Sequence, residues 1–179
     1  MQAFDSLSRD IQQYIYDKGW PSLTRIQNAA IKQVANTDHN LILSAPTASG
    51  KTEAAFIPAL NSVEDWDTGL KVLYISPLKA LINDQFQRIS ELSAYLDIPI
   101  TPWHGEVSQA QKKKVVNQPK GILLITPESI EGMLVNRPGK AQHLFKGVEW
   151  IIIDELHSFL GTERGVHLQS LLQRISQFM

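Results

Sequence analysis

Cysteine is absent from the chain. That excludes a disulfide scaffold, a Cys-ligated zinc or iron–sulfur centre and a thiol nucleophile, and it suits a reducing, cytoplasmic compartment. Long apolar runs are missing too. None approaches the roughly 20 residues needed to cross a bilayer, so no membrane partner is expected. The first residues, MQAFDSLSRD, have neither the basic end nor the apolar stretch of a secretory signal. Nor is there an excess of charge of either sign: 17 Lys and Arg stand against 18 Asp and Glu, for a net charge of −1. That balance argues against coating nucleic acid through a bulk basic surface, so any such partner has to be met by a local site. Internal repeats and low-complexity tracts are lacking. What is present is 179 residues, 43% of them hydrophobic, enough for one α/β domain with a sizeable core.

Short apolar runs alternate with longer amphipathic segments. The runs are Leu41–Ser44, Leu70–Ser76, Ile98–Trp103, Gly121–Thr126 and Val148–Asp154. All but Ile98–Trp103 are nearly continuous in Ile, Leu and Val, the pattern of strands buried on both faces. Between them lie helix-compatible stretches at Leu23–Ala35, Lys51–Val63, Lys79–Leu96, Ser108–Val116, Glu128–Val135 and Glu163–Phe178. In the last of these Val166, Leu168, Leu171, Leu172, Ile175 and Phe178 form an apolar stripe at helical spacing. The alternation predicts a mostly parallel sheet with helices on both faces. A helical lead-in over residues 1–35 precedes an α/β domain over 36–179.

The most informative stretch is LILSAPTASGKTEAAF. A predicted strand runs into Ala45-Pro46-Thr47-Ala48-Ser49-Gly50-Lys51-Thr52, and a helix follows. The string fits G-x-x-x-x-G-K-[ST] with Ala45 at the first position. Backbone N–H groups of such a loop form an anion cradle, and the helix start adds unpaired N–H groups and its positive dipole end. Gly50 admits phosphate close to the backbone. Lys51 reaches the terminal phosphates, and the Thr52 hydroxyl can ligate Mg²⁺. Pro58 is expected to kink or end this helix after about two turns.

A second constellation is VEWIIIDELH. Three isoleucines bury a strand that ends in Asp154 and Glu155, at the edge where open α/β sheets bind ligands. The loop at 45–52 is expected to leave the sheet by that same edge. Asp154 can hold Mg²⁺, and Glu155 can orient the water that attacks a γ-phosphate. Taken alone, the pair could equally cap a following helix; with the phosphate loop in the same chain, nucleotide hydrolysis becomes the better reading.

These strings resemble motifs I and II of superfamily 2 helicases. APTASGKT matches that group's A-x-x-G-x-G-K-T except that Ala48 replaces a glycine, and DELH is a DExH-type motif II. Gly19-Trp20-Pro21-Ser22-Leu23-Thr24-Arg25-Ile26-Gln27 resembles the Q motif. Ser76-Pro77-Leu78-Lys79-Ala80-Leu81 resembles motif Ia, and Thr126-Pro127-Glu128-Ser129 resembles motif Ib. Trp103-His104-Gly105-Glu106 stands where related helicases carry a glycine-containing loop on the strand backbone. The run Glu163-Arg164-Gly165-Val166-His167-Leu168 is most similar to large helicase-related (Lhr-type) enzymes.

The resemblance implies a RecA-like P-loop fold and an ATP-dependent DNA or RNA helicase or translocase. It assigns adenine to Gln27, ATP phosphates to residues 46–52, chemistry to Lys51, Asp154 and Glu155, Mg²⁺ to Thr52 and Asp154, and coupling to His157. Phe4 or Trp20 is left to stack on the base, undecided by spacing. Pro77, Leu78, Lys79, Gly105, Thr126, Pro127 and Glu128 would contact a nucleic-acid strand. Pro77 and Pro127 are each expected to open a helix whose free N–H groups, helped by the Thr126 hydroxyl and Lys79, bind backbone phosphates. Contacts of that kind carry no base information, so a single strand would be held without sequence preference.

Lys112-Lys113-Lys114 reads as a solvated helix face, and His39, His104, His143 and His167 show no metal-ligand spacing. The family's motif III and its second RecA-like domain, with arginine fingers, are not found before Met179. An arginine finger is worth about 10³–10⁵ in rate, so these residues alone are expected to bind ATP–Mg²⁺ weakly and turn it over very slowly. A nucleotide-gated clamp without processive unwinding is the alternative. A generic P-loop kinase would explain neither the Gln27 segment nor the Ia and Ib strings.

Overall fold

The structure, a computed structural model, describes residues 3–46 and 48–179. The chain divides into two compact units at the Glu64–Asp65 junction. In the first unit a 3-10 turn (Phe4–Ser6) precedes α1 (Arg9–Asp17), α2 (Arg25–Asn36) and α3 (Lys51–Ser62). Caps define the starts of α1 and α2. The Ser8 side chain accepts from Ile11 N–H at α1. At α2, Thr24 and Gln27 form a reciprocal capping box that satisfies two donors at once. Asn61 fastens the turn to the end of α3: its carbonyl oxygen accepts from Ser8 N–H at 2.6 Å, and its amide donates to the Ser6 carbonyl at 3.2 Å.

Two expectations fail here. Residues 37–46 adopt no regular secondary structure, and Ile42 is 82% exposed, so the run Leu41–Ser44 is not a strand. A strand exists by virtue of a ladder partner, and four apolar residues do not specify one. Pro58 does not end α3, which continues to Ser62. The proline forfeits one hydrogen bond, but Phe56, Ile57, Ala59 and Leu60 around it are all buried. Their burial, about 1.5–3 kcal/mol for each large side chain, outweighs the loss.

In the second unit β1 (Gly69–Ile75), α4 (Lys79–Tyr95), β2 (Ile100–Trp103), α5 (Gln109–Asn117), β3 (Lys120–Ile125), α6 (Pro127–Asn136), α7 (Pro138–Phe145), β4 (Trp150–Ile153), a 3-10 turn (Leu156–Ser158) and α8 (Glu163–Ser176) follow in order. The four strands are all parallel in the order β2-β3-β1-β4. The α/β reading with a parallel sheet therefore holds. Central strands β1 and β3 are buried almost throughout, whereas β2 and β4, each with one neighbour, are half-buried. Right-handed crossovers place α4 on one face and α5, α6 and α7 on the other. Leu70, Leu73, Ile75, Leu123 and Ile125 form a core with Ile130 and Met133 of α6, Leu144 and Phe145 of α7, and Leu168, Leu171 and Ile175 of α8. Val166 is 70% exposed and leaves the apolar stripe expected of α8. Helix α7 was not foreseen, because its Pro138-Gly139 start reads as a breaker. The φ of +74° at Gly121 puts a would-be Cβ 2.0 Å from the Pro99 carbonyl, so only glycine fits at the start of β3.

Among the described residues no helix is long and apolar enough to cross a membrane.

Candidate functional site

In the first unit the phosphate loop is shaped by backbone conformation and by Gln27. Gly50 caps α3 in the left-handed region, φ +83°, and no side-chain cap satisfies the N–H groups of the first turn of α3. Ala48 is also left-handed, φ +59°, at the place where the helicase pattern has glycine. Gln27 is buried, and its amide Nε2 donates to the Gly50 carbonyl at 3.5 Å. A Cβ on Gly50 would meet that nitrogen at 2.5 Å. Lys51 Nζ donates to the Ala45 carbonyl at 2.8 Å, folding its ammonium back over the loop. Ser49 Oγ is buried without a hydrogen-bond partner, one of only two such side-chain atoms among the described residues. Thr52 follows on the first turn of α3, Pro46 is exposed, and Thr47 lies outside the described residues. Phe4 and Trp20 line one groove of about 380 Å³ together with Ile15, Tyr16, Pro21 and Asn28.

In the second unit the strands end in register. Trp103 pairs with Ile125, Ile125 with Ile75, and Ile75 with Ile153. The next residues, His104, Thr126, Ser76 and Asp154, therefore share one edge. Ser76 N–H to the Ile125 carbonyl (3.0 Å) and Asp154 N–H to the Ile75 carbonyl (2.9 Å) carry the ladder one step further. Strings Ia, Ib, WHGE and DELH meet there, as the sequence implied.

Asp154 is held from two sides. The Tyr74 hydroxyl donates to its Oδ2, and Glu155 N–H donates to its Oδ1 at 3.0 Å. Burial, then the bond to Asp154, pushes the Tyr74 phenol far above its ordinary range, so it remains a donor. Glu155 is left-handed, φ +48°, which turns the chain sharply into the 3-10 turn, and its Oε2 lies 3.3 Å from His157 Nε2.

Several nucleic-acid candidates already have partners of their own. Lys79 pairs with Glu106. His104 is buried and contacts Asn83 Oδ1 through Nε2 at 3.0 Å, while its Nδ1 accepts from Glu106 N–H. Burial, then the Lys79 charge, lowers the His104 pKa, which keeps the ring neutral. Gly105 is exposed. The Thr126 hydroxyl caps α6 by accepting from Ser129 N–H, and Pro127 occupies the first turn of that helix as expected. Pro77 does not open α4: it is buried before the helix, and the exposed Leu78 takes the cap position without a side-chain cap. Glu128 accepts two bonds from Arg164. Tyr74 and Arg164 are the residues that residue-type reasoning missed. A tyrosine near the end of a buried strand, two residues before its strand-end turn, was the available signal for the first.

A parallel sheet with a Gly-Lys-Thr loop and a strand-end Asp-Glu pair sets a clear expectation for comparison with known proteins. The family model for DEAD/DEAH box helicases matches residues 24–179. The chain belongs to that family. This helicase domain is similar to the Lhr helicase/uracil glycosylase of Escherichia coli, at 34% identity over 87% of this chain and 11% of that protein. It is also similar to the ATP-dependent helicase Lhr-Core of Saccharolobus solfataricus, at 33% identity over 86% and 19%. Among solved structures, Mycobacterium smegmatis helicase Lhr bound to ssDNA and AMP-PNP matches with a TM-score of 0.86 at 28% identity, over 99% of this chain and 24% of that one. The DUF1998 helicase MrfA bound to DNA and AMPPNP matches with a TM-score of 0.84 at 26% identity, over 97% and 25%. The helicase domain therefore spans a minor part of the relatives it matches. Its RecA-like fold and Lhr-type motifs agree with what the strings implied.

Proposed function

We propose that the chain is the ATP-binding motor domain of an ATP-dependent DNA or RNA helicase or translocase, hydrolysing ATP with Mg²⁺ while it holds one nucleic-acid strand without sequence preference. The phosphate loop carries this reading. It combines two left-handed residues, an uncapped helix start, a lysine and a buried hydroxyl that lacks a partner, and an unpartnered buried donor is costly unless a ligand meets it. Phosphate oxygens suit that donor set. Lys51 exchanges the Ala45 carbonyl for phosphate, and Gln27, already bonded to the loop, links the adenine end of the site to its phosphate end. The groove beside Phe4 and Trp20 offers both rings to the base.

Mg²⁺, when bound, neutralises phosphate charge. Thr52 and Asp154 have the oxygen donors it prefers, and Tyr74 orients the second of them. Glu155 is the water-orienting group, and His157 at 3.3 Å holds its carboxylate. The strand-end row of His104, Ser76 and Thr126 lines the edge given to the nucleic-acid strand, gripped by helix-start N–H groups rather than by net charge.

The test is Glu155→Gln in the full-length protein. ATP turnover and strand separation should fall by about 10²–10⁴, the contribution typical of a positioned general base, while ATP binding persists. Unchanged biological activity in that variant would favour a nucleotide-gated clamp instead.

A further inference from the structure

The side chain of Arg164, at the start of α8, touches three separate parts of the second unit. Its Nε and Nη2 both donate to Glu128 Oε1, at 3.0 and 2.7 Å. Nη2 also donates to the Pro77 carbonyl at 2.9 Å. The guanidinium lies over the Phe159 ring, 5.5 Å from its centroid. Pro77 belongs to the loop after β1 and Glu128 to the first turn of α6, which follows β3 directly, so one fork bridges two neighbouring strand ends. Phe159 closes the 3-10 turn that starts at Glu155: Ser158 N–H donates to the Glu155 carbonyl at 2.8 Å, and Phe159 N–H to the Leu156 carbonyl at 3.0 Å.

The backbone is built to bring Arg164 there. A Cβ at Gly165 would stand 2.0 Å from the Phe159 carbonyl, so the first turn of α8 packs directly on that turn. Thr162 caps α8 by accepting from Gly165 N–H and donates its hydroxyl to the same Phe159 carbonyl at 2.8 Å. An isolated surface ion pair is worth little. This one adds a carbonyl acceptor and a buried ring, and a planar guanidinium can lie over that ring while it donates in its own plane, which an ammonium cannot.

We propose that Arg164 is a positioning residue that locks the strand-end segments Pro77–Lys79 and Thr126–Glu128, the starts of α4 and α6, into one strand-holding edge and links that edge to the turn following Asp154 and Glu155. The role rests on reading those segments as the nucleic-acid contact. A change in the Glu155 turn, as nucleotide binds or leaves, moves Phe159. Arg164 then passes the change to both segments.

The test measures binding of a fluorescein-labelled single-stranded oligonucleotide, DNA and RNA in parallel, to the full-length protein with and without AMP-PNP–Mg²⁺. Arg164→Ala should weaken oligonucleotide binding about tenfold and abolish its response to AMP-PNP, within the range of ordinary coupling between sites. AMP-PNP binding in the absence of oligonucleotide should be unchanged. Arg164→Lys should stay close to the alanine value, since an ammonium has no planar face to lie over Phe159 and loses the second, Nε, bond to Glu128. Phe159→Leu, which preserves an apolar side chain under α8, should lose about threefold through the missing ring contact. It gives a second reading should Arg164→Ala fold poorly. Wild-type affinity with an intact AMP-PNP response in Arg164→Ala, or in Phe159→Leu where only that variant folds, overturns the proposal. A wild-type protein that binds no oligonucleotide overturns the functional reading beneath it.

Discussion

The phosphate loop and the strand-end edge satisfy their polar groups in opposite ways. In the loop, position comes from backbone: Ala48 and Gly50 are left-handed, the start of α3 has no side-chain cap, and Ser49 Oγ is buried without a partner. At the edge, side chains hold one another. Tyr74 binds Asp154, His157 meets Glu155, Lys79 pairs with Glu106, and Arg164 clasps Glu128. The first arrangement suits a ligand that fits a preformed cradle, because little has to break when it arrives. The second suits a surface that changes partners, since each contact given up to a nucleic-acid strand is replaced by another. On the proposed function, a motor that alternates between nucleotide states would use both: one receptor for phosphate and one edge with exchangeable pairs.

Three substitutions sharpen that contrast after the Glu155→Gln loss of turnover, which is the largest effect expected. Tyr74→Phe removes one of the two donors that hold Asp154 and leaves a carboxylate oxygen at a half-buried strand end without that partner. It should cost about 1–2 kcal/mol of stability and lower the thermal midpoint by roughly 3–6 °C. An unchanged midpoint would mean that the edge is not held by its side chains. Ala48→Gly should act in the other direction, because a left-handed alanine carries about 1–2 kcal/mol of steric cost. Part of that gain is lost to the freer unfolded chain, so a net stabilisation of about 0.5–1 kcal/mol is expected in denaturant melts. A destabilised Ala48→Gly would show that the loop is not strained there.

The smallest effect concerns a pairing beyond the edge. Glu131 on α6 binds Arg174 in a two-point contact and also His167, both on α8. Chiefly through Arg174, then His167, its carboxyl falls from an ordinary 4.5 to about 2. A depressed carboxylate stabilises the fold fully above its unfolded pKa, and that contribution disappears as pH falls through the folded value. The wild type should therefore lose stability relative to Glu131→Gln between pH 4.5 and pH 2, read from urea midpoints at several pH values. Parallel curves would show that this exposed cluster contributes nothing.

Much of this was legible in the sequence. The ends of β1, β3 and β4 follow directly from apolar runs that stop at Ser76, Thr126 and Asp154, and the matching register of those ends is what gathers four separate strings at one edge. The chemistry of the Gly-Lys-Thr loop was equally plain, because spacing alone puts an ammonium and a hydroxyl on one helix start. What escaped depended on partners distant in sequence. Leu41–Ser44 has the composition of a strand but pairs with nothing among the described residues. Pro58 is tolerated because its neighbours are buried. Lys79 and Thr126 looked free for phosphate and Glu128 for a contact with the strand, yet each already has a partner in Glu106, Ser129 or Arg164. Periodicity reports which face a residue prefers; it does not report which side chain will be waiting there.

The central proposal, that Ala45 and the turn Ala48–Thr52 at the start of α3 receive nucleotide phosphate, is tested most directly by calorimetric titration of AMP-PNP into residues 1–179, wild type and Lys51→Ala, with and without Mg²⁺. Binding that is weak, dependent on Mg²⁺ and lost in Lys51→Ala is the predicted result. Equal binding by the two proteins, or none by a folded wild type, would contradict it.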